Sequence, residues 1–142
     1  MKLTPALLLP LMIAACTGPV PPAEAPRVPL ASATPGFVPP STAAGETDCG
    51  TFVLQQGKGL AEEAMRCFID AAAQGRPARL MESRLTVEGD PIISLYRVKA
   101  GGGIEVIRDT TRDRYGNHGI VTETCTGPVA DRGFLMFAHC DR

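Results

Sequence analysis

The chain has 142 residues, 14 Lys and Arg against 15 Asp and Glu, a net charge of −1 and 44% hydrophobic residues. So even a balance leaves no basic footprint for nucleic acid and none for anionic lipid. With five Phe, two Tyr and no Trp, the chain is also poorly equipped to stack on carbohydrates or bases.

Lys2 precedes an apolar run, Leu3 to Ala15, interrupted by Pro5 and Pro10. Its 13 residues fall short of the roughly 20 needed to cross a bilayer core. The run ends Leu11-Met12-Ile13-Ala14-Ala15-Cys16, with an apolar residue three before the cysteine and two small residues next to it. This resembles the lipobox of bacterial lipoproteins. The resemblance implies cleavage before Cys16, a diacylglycerol thioether on its sulfur and acylation of the new amino terminus. Residues 1–15 are then a signal peptide and leave the fold reasoning. Two acyl chains on one residue give stable anchoring where a single chain binds only marginally. The expected location is the cell membrane or outer membrane, lipid-anchored and facing the extracytoplasmic side. Thr17, where Asp would suggest inner-membrane retention, leaves the choice of membrane open.

Residues 16–47 combine the lipidated cysteine with a segment containing Pro19, Pro21, Pro22, Pro26, Pro29, Pro35, Pro39 and Pro40 among Ala, Ser and Thr. Such a composition buries too little apolar surface to offset its ordering entropy. A disordered tether is predicted, reaching at most roughly 90 Å if extended as polyproline II.

The folded domain is expected over 48–142. Thr51 to Leu54 reads as a short strand or extended lead-in and Gln55 to Gly59 as a loop. Leu60, Ala64, Cys67, Phe68, Ala71 and Ala72 then recur at helical spacing. Glu62 and Glu63 complement the dipole in the first turn, and Gly75 and Pro77 stop the helix. After Pro77 the chain alternates. Met81, Ser83, Leu85 and Val87 lie on one face of a strand, and Glu82, Arg84 and Glu88 on the other. Gly89-Asp90-Pro91, Gly101-Gly102-Gly103, the polar loop Thr111 to Gly119 and Asp131-Arg132-Gly133 separate four further strands. Short links imply antiparallel neighbours. The predicted fold is α+β, one helix packed on a five-stranded antiparallel meander. By element order it is nearest to a cystatin-like sheet curled around a helix.

Cys49, Cys67, Cys125 and Cys140 remain once Cys16 is set aside. No pair has the spacing of a structural zinc site. Four cysteines in a small exported domain read as two disulfides, with three connectivities available. The expected pairs are Cys49–Cys67 and Cys125–Cys140. The second depends on register. A four-residue loop at Ala130 to Gly133 sets Cys125 against Ala138, a two-residue shift sets it against Cys140, and a one-residue shift puts the two cysteines on opposite faces.

Asp48-Cys49-Gly50-Thr51-Phe52, Ala64 with Cys67 and Phe68, Thr86-Val87-Glu88-Gly89-Asp90-Pro91, Asp113-Arg114-Tyr115-Gly116 and Cys125 together resemble a small uncharacterised domain of exported proteins and lipoproteins of high-GC Gram-positive bacteria. The resemblance covers about two-thirds of the chain and implies no activity.

No catalytic set stands out. His118 and His139 lie 21 residues apart with no motif spacing. Asp109, Asp113 and Asn117 lack the calcium-loop pattern, with Arg112 and Arg114 beside Asp113. Ser32, Ser41, Ser83 and Ser94 have no nucleophile-elbow context, and the glycine run at 101–103 opens no helix that could cradle phosphate. Neither a metal nor a cofactor is expected. The function expected is a non-catalytic binding or interaction domain held at the cell envelope by its lipid. Its partner would be an envelope protein or a small molecule. The competing class is a small extracytoplasmic hydrolase or a ligand-carrying pocket protein. An acid such as Asp113 beside Tyr115 in a pocket would favour that class, as would an open concave sheet face.

Overall fold

The computed structural model describes residues 42–142. Its elements are β1 (Thr47–Leu54), α1 (Glu62–Ala73), β2 (Ala78–Leu85), β3 (Pro91–Val98), β4 (Ile104–Asp109), β5 (Ile120–Asp131) and β6 (Phe134–Asp141). Cys16, the expected signal peptide before it and the proline-rich stretch through residue 41 lie outside the described residues.

The strands form one sheet in chain order, β1 to β6. From β2 to β6 every neighbour is antiparallel, the meander predicted from the short links. The five-strand expectation is corrected to six, because β1 adds to the edge of β2 in parallel. Between them α1 carries the chain back along the sheet, so β2 starts from the same end as β1, as a parallel pair requires. A bulge hides most of β1 from an alternation test. Register passes from Asp48 opposite Arg79 to Thr51 opposite Met81, so Cys49 and Gly50 together stand against Leu80. The extra residue reverses the face parity, which lets Cys49 and Leu54 both be buried. Gly50 has φ +113° and lies where a Cβ would come within 2.8 Å of the Phe52 ring.

Helix α1 buries Ala64, Met65, Phe68 and Ala71. Leu60 precedes its first turn but packs in the same core. The helix ends in a Schellman motif, with the Arg76 N–H donating to the Ala71 carbonyl (2.9 Å) and the Gly75 N–H to that of Ala72 (3.1 Å). Gly75, at φ +63°, takes the left-handed position. Phe68, 0% exposed, packs with Leu80, Val98, Ile104 and Cys125.

Two disulfides staple these layers, Cys49–Cys67 joining β1 to α1 and Cys125–Cys140 joining β5 to β6. Asp131 pairs with Phe134, so the last hairpin turns on Arg132 and Gly133 alone, and Cys125 sits directly opposite Cys140. Both turn residues have positive φ, 46° and 82°, as the two-residue hairpin turn that matches strand twist demands. The hairpin tip returns to the loop before α1. There the Leu60 N–H donates to the Gly133 carbonyl (2.9 Å). A Cβ on Gly59 would lie 2.6 Å from the Gly133 Cα, so only glycine lets the backbones approach this closely. That contact fastens the β5–β6 tip to the loop that leads into the helix.

Residues just before β1 also belong to this structure. The Glu46 side chain is 3% exposed and accepts from Arg97 Nε at 3.2 Å. The Thr47 N–H donates to the Pro77 carbonyl at 2.9 Å. A chain starting at Thr42 is expected to melt with the full mature protein. One starting at Asp48 leaves Arg97 without its carboxylate and should lose about 1–2 kcal/mol, or roughly 5–10 °C for a domain of this size. Equal melting of the two truncations would show that the Glu46 pair contributes nothing.

Asp90 ties two loops together. Its carboxylate accepts from Arg114 Nε (2.9 Å) and from the Arg114 backbone N–H (3.1 Å). Those hydrogen bonds, the side chain's first, hold Asp90 below the usual carboxylate range. A lowered folded-state pKa stabilises fully above the unfolded value of about 3.9, and the contribution disappears as pH falls through the lower folded value. Asp90→Asn should therefore unfold at lower denaturant than wild type at pH 7. The gap should close below about pH 4. A gap that stays constant to pH 2 would place the effect elsewhere.

Candidate functional site

Sheet register builds a polar row on the face that α1 covers. Glu82 on β2 pairs with Ser94 on β3, which pairs with Arg108 on β4. One step along, Leu80, Tyr96 and Val106 form the parallel apolar row. Helix α1 reaches as far as Tyr96, whose ring meets Phe68 edge-on at 6.1 Å. Phe137 stacks on the same ring at 5.9 Å. Beyond that line the cover is β6, and it is incomplete. A cleft of about 380 Å³ lies between the polar row and Phe134, Leu135 and Met136. A smaller hollow of about 160 Å³ shares Tyr96, Arg108, Leu135 and Met136 with it. The face that α1 covers is thus filled under the helix and open beyond it.

Glu82 is only 6% exposed, and both of its oxygens are engaged. Tyr96 donates its hydroxyl to Oε1 at 2.8 Å, and Arg84 Nη2 donates to Oε2 at 2.9 Å. Burial, and then the adjacent Glu82 charge, push the Tyr96 phenol well above its ordinary range, so it stays a donor at neutral pH. Arg84 also donates to the Lys58 carbonyl (3.1 Å) and lies over the Phe134 ring at 4.5 Å. This locks one wall of the cleft. Phe134 and Met136, 46% and 50% exposed, form its apolar rim. Another hollow, between Ile69, Ala72, Ile104 and Pro128, carries no titratable side chain and offers no comparable chemistry.

Ser32 and Ser41 lie outside the described residues. Of the described residues singled out from the sequence for possible chemistry, Ser94 alone enters the cleft, 5% exposed beside Glu82. Asp113 accepts the N–H groups of Tyr115 and Gly116 and shapes its own loop. Asp109 accepts from the Thr111 N–H (2.8 Å) and hydroxyl, and the Thr110 hydroxyl bonds the Asn117 and Gly119 carbonyls, closing the same loop. His139 contacts Asp141 at the exposed end of β6, far along the chain from the exposed His118. Among the described residues no three His, Cys, Asp or Glu side chains gather as a metal site. Glu82, Tyr96 and Arg108 escaped sequence reading. Their signal is present only as alternation, and alternation does not say which face is inward. The face of β2 carrying Leu80 and Glu82 is the buried one.

No family model, curated protein or solved structure matches the chain.

Proposed function

We propose that the protein is a lipid-anchored, extracytoplasmic binding module of the cell envelope that holds a small ligand in the cleft floored by Glu82, Ser94 and Arg108. The observation that carries this reading is an open, apolar-rimmed cleft whose buried carboxylate is already used. Ser94 lies opposite Glu82, but Tyr96 and Arg84 occupy that carboxylate, so no free base faces the hydroxyl. That favours binding over hydrolysis. Two disulfides are consistent with an oxidising compartment outside the cytoplasm. Among the described residues no helix is long and apolar enough to cross a membrane, so attachment through Cys16 is the proposed anchor. In architecture we keep the cystatin-like curl as the comparison, supported by the return of the β5–β6 tip to the loop before α1.

Detergent phase partitioning tests the anchor. Wild type should enter the detergent phase, and Cys16→Ser should accumulate as unprocessed precursor. Equal processing and equal membrane retention of the variant would remove the lipid from the proposal. For the cleft, protein purified from envelopes should release a bound small molecule on denaturation. Phe134→Ser with Met136→Ser, both on the exposed rim, should come bare. The same molecule retained by the double variant would place binding elsewhere.

A further inference from the structure

Arg108 is a cation that the domain's own contacts leave unused. Arg84, Arg97 and Arg114 are each paired with a carboxylate. The Arg108 guanidinium makes no ion pair or side-chain hydrogen bond among the described residues, yet it lines both the cleft and the smaller hollow. The carboxylate in its row is Glu82, two strand spacings away, or roughly 9–10 Å, and that charge is already balanced by Arg84. Glu123, a diagonal neighbour on β5 that shares the smaller hollow, is paired with Arg142. Ser94, directly opposite Arg108 in register, offers a hydroxyl beside it.

We propose that the cleft binds a monocarboxylate with an apolar body, its carboxylate gripped by Arg108 and its hydrocarbon lying against Ile92, Phe134, Leu135 and Met136. The inference deepens the binding-module reading and rests on it. A planar guanidinium fork matches a carboxylate in bidentate geometry. One unpaired cation with one neighbouring hydroxyl suits a single negative charge better than a phosphate dianion, which calls for a second cation or a cluster of backbone N–H groups. Glu82 offers a cationic ligand no acceptor, since both of its oxygens are taken and the residue is buried. Glu123, the carboxylate of the smaller hollow, already carries the charge of Arg142 at 3.1 Å. The remaining lining is mostly apolar, with Thr86 and the engaged Arg84 and Tyr96 as its polar members. The volume of about 380 Å³ lies within the range of small-ligand pockets, about 300–1,000 Å³.

The test uses the full mature protein in nanodiscs with methionine methyls labelled with carbon-13, and reads the Met136 methyl, assigned through Met136→Leu. Octanoate at pH 7 should shift that resonance saturably. Arg108→Gln, a change at an exposed position, should weaken octanoate roughly tenfold or more with its melting temperature unchanged. Octanol should bind wild type at least roughly tenfold more weakly than octanoate, and equally in both proteins. Octanoate binding that ignores Arg108→Gln overturns the inference. If octanol or octyltrimethylammonium saturates the Met136 shift while octanoate does not, the ligand class is wrong and the binding module stands. If only a peptide ending in a free carboxylate saturates it, the partner is a protein chain and the inference again fails. Should none of these probes move Met136, the inference and the binding-module reading fall together.

Discussion

Replacing all four domain cysteines by alanine is expected to abolish cooperative folding. The bridges close sequence separations of 18 and 15 residues, each worth about 3 kcal/mol in the chain-entropy treatment. Small domains have typical net stabilities of about 5–15 kcal/mol, so losing both removes most or all of the margin. The two bridges differ in what they hold. Cys49 sits in the bulge of an edge strand, and Cys67 lies on the helix. Without this link β1 keeps its parallel ladder but loses its tether to α1. Cys49→Ala with Cys67→Ala should therefore cost about 3 kcal/mol and loosen residues 47–54 first. The other bridge closes β5 on β6, which carries the Phe134 and Met136 rim. Cys125→Ala with Cys140→Ala should cost a similar amount and weaken ligand retention as well. Denaturant unfolding measures the stabilities, and amide exchange locates the loosened strand. A four-alanine variant unfolding cooperatively within about 1 kcal/mol of wild type would show that packing alone holds the fold.

The elements legible in the sequence are those with local causes. Helix α1 announces itself through Leu60, Ala64, Phe68 and Ala71 and stops at Gly75 for a stereochemical reason. Strands β2 to β6 are marked by their turns. The cystine pairing was legible because Cys67 lies on the helix's inward side and because one of the available hairpin registers sets Cys125 against Cys140. What was hidden depends on non-local facts. Gly50 is the only local trace of the bulge that turns Cys49 toward the core, and nothing near Thr47 says that it will pair with Ala78 across a helix. Arg132 at positive φ is an unusual choice for a two-residue turn, so the hairpin register could be bracketed but not chosen. The site was hidden most completely. Glu82 and Arg84 alternate with Met81 and Ser83, and the natural inference puts charges outside. The sheet does the reverse at this strand because Ala78 and Leu80, on Glu82's side, meet Phe68.

That inversion makes Glu82 the most consequential side chain of the cleft. Glu82→Leu removes the acceptor of the buried Tyr96 hydroxyl and the partner of Arg84, whose side chain is 25% exposed. A buried hydroxyl without an acceptor costs about 1–3 kcal/mol. Breaking a buried ion pair from one side costs about 3–5 kcal/mol, moderated here because Arg84 still reaches water, Phe134 and the Lys58 carbonyl. A loss of about 2–4 kcal/mol follows. Tyr96→Phe alone removes a donor from a carboxylate that keeps Arg84, and should cost about 1–2 kcal/mol. In the double variant neither group remains to be left unpaired. It should be less destabilised than the sum of the singles by at least about 1 kcal/mol. The cleft gives a second readout, because Glu82→Leu frees Arg84 to compete with Arg108 for an anion. Octanoate should then bind the Glu82→Leu protein at least as tightly as wild type despite its lower stability. Strict additivity in the cycle would mean that Tyr96 and Glu82 act independently. Weakened octanoate binding would mean that Glu82 supports the cleft by shape and not by holding Arg84.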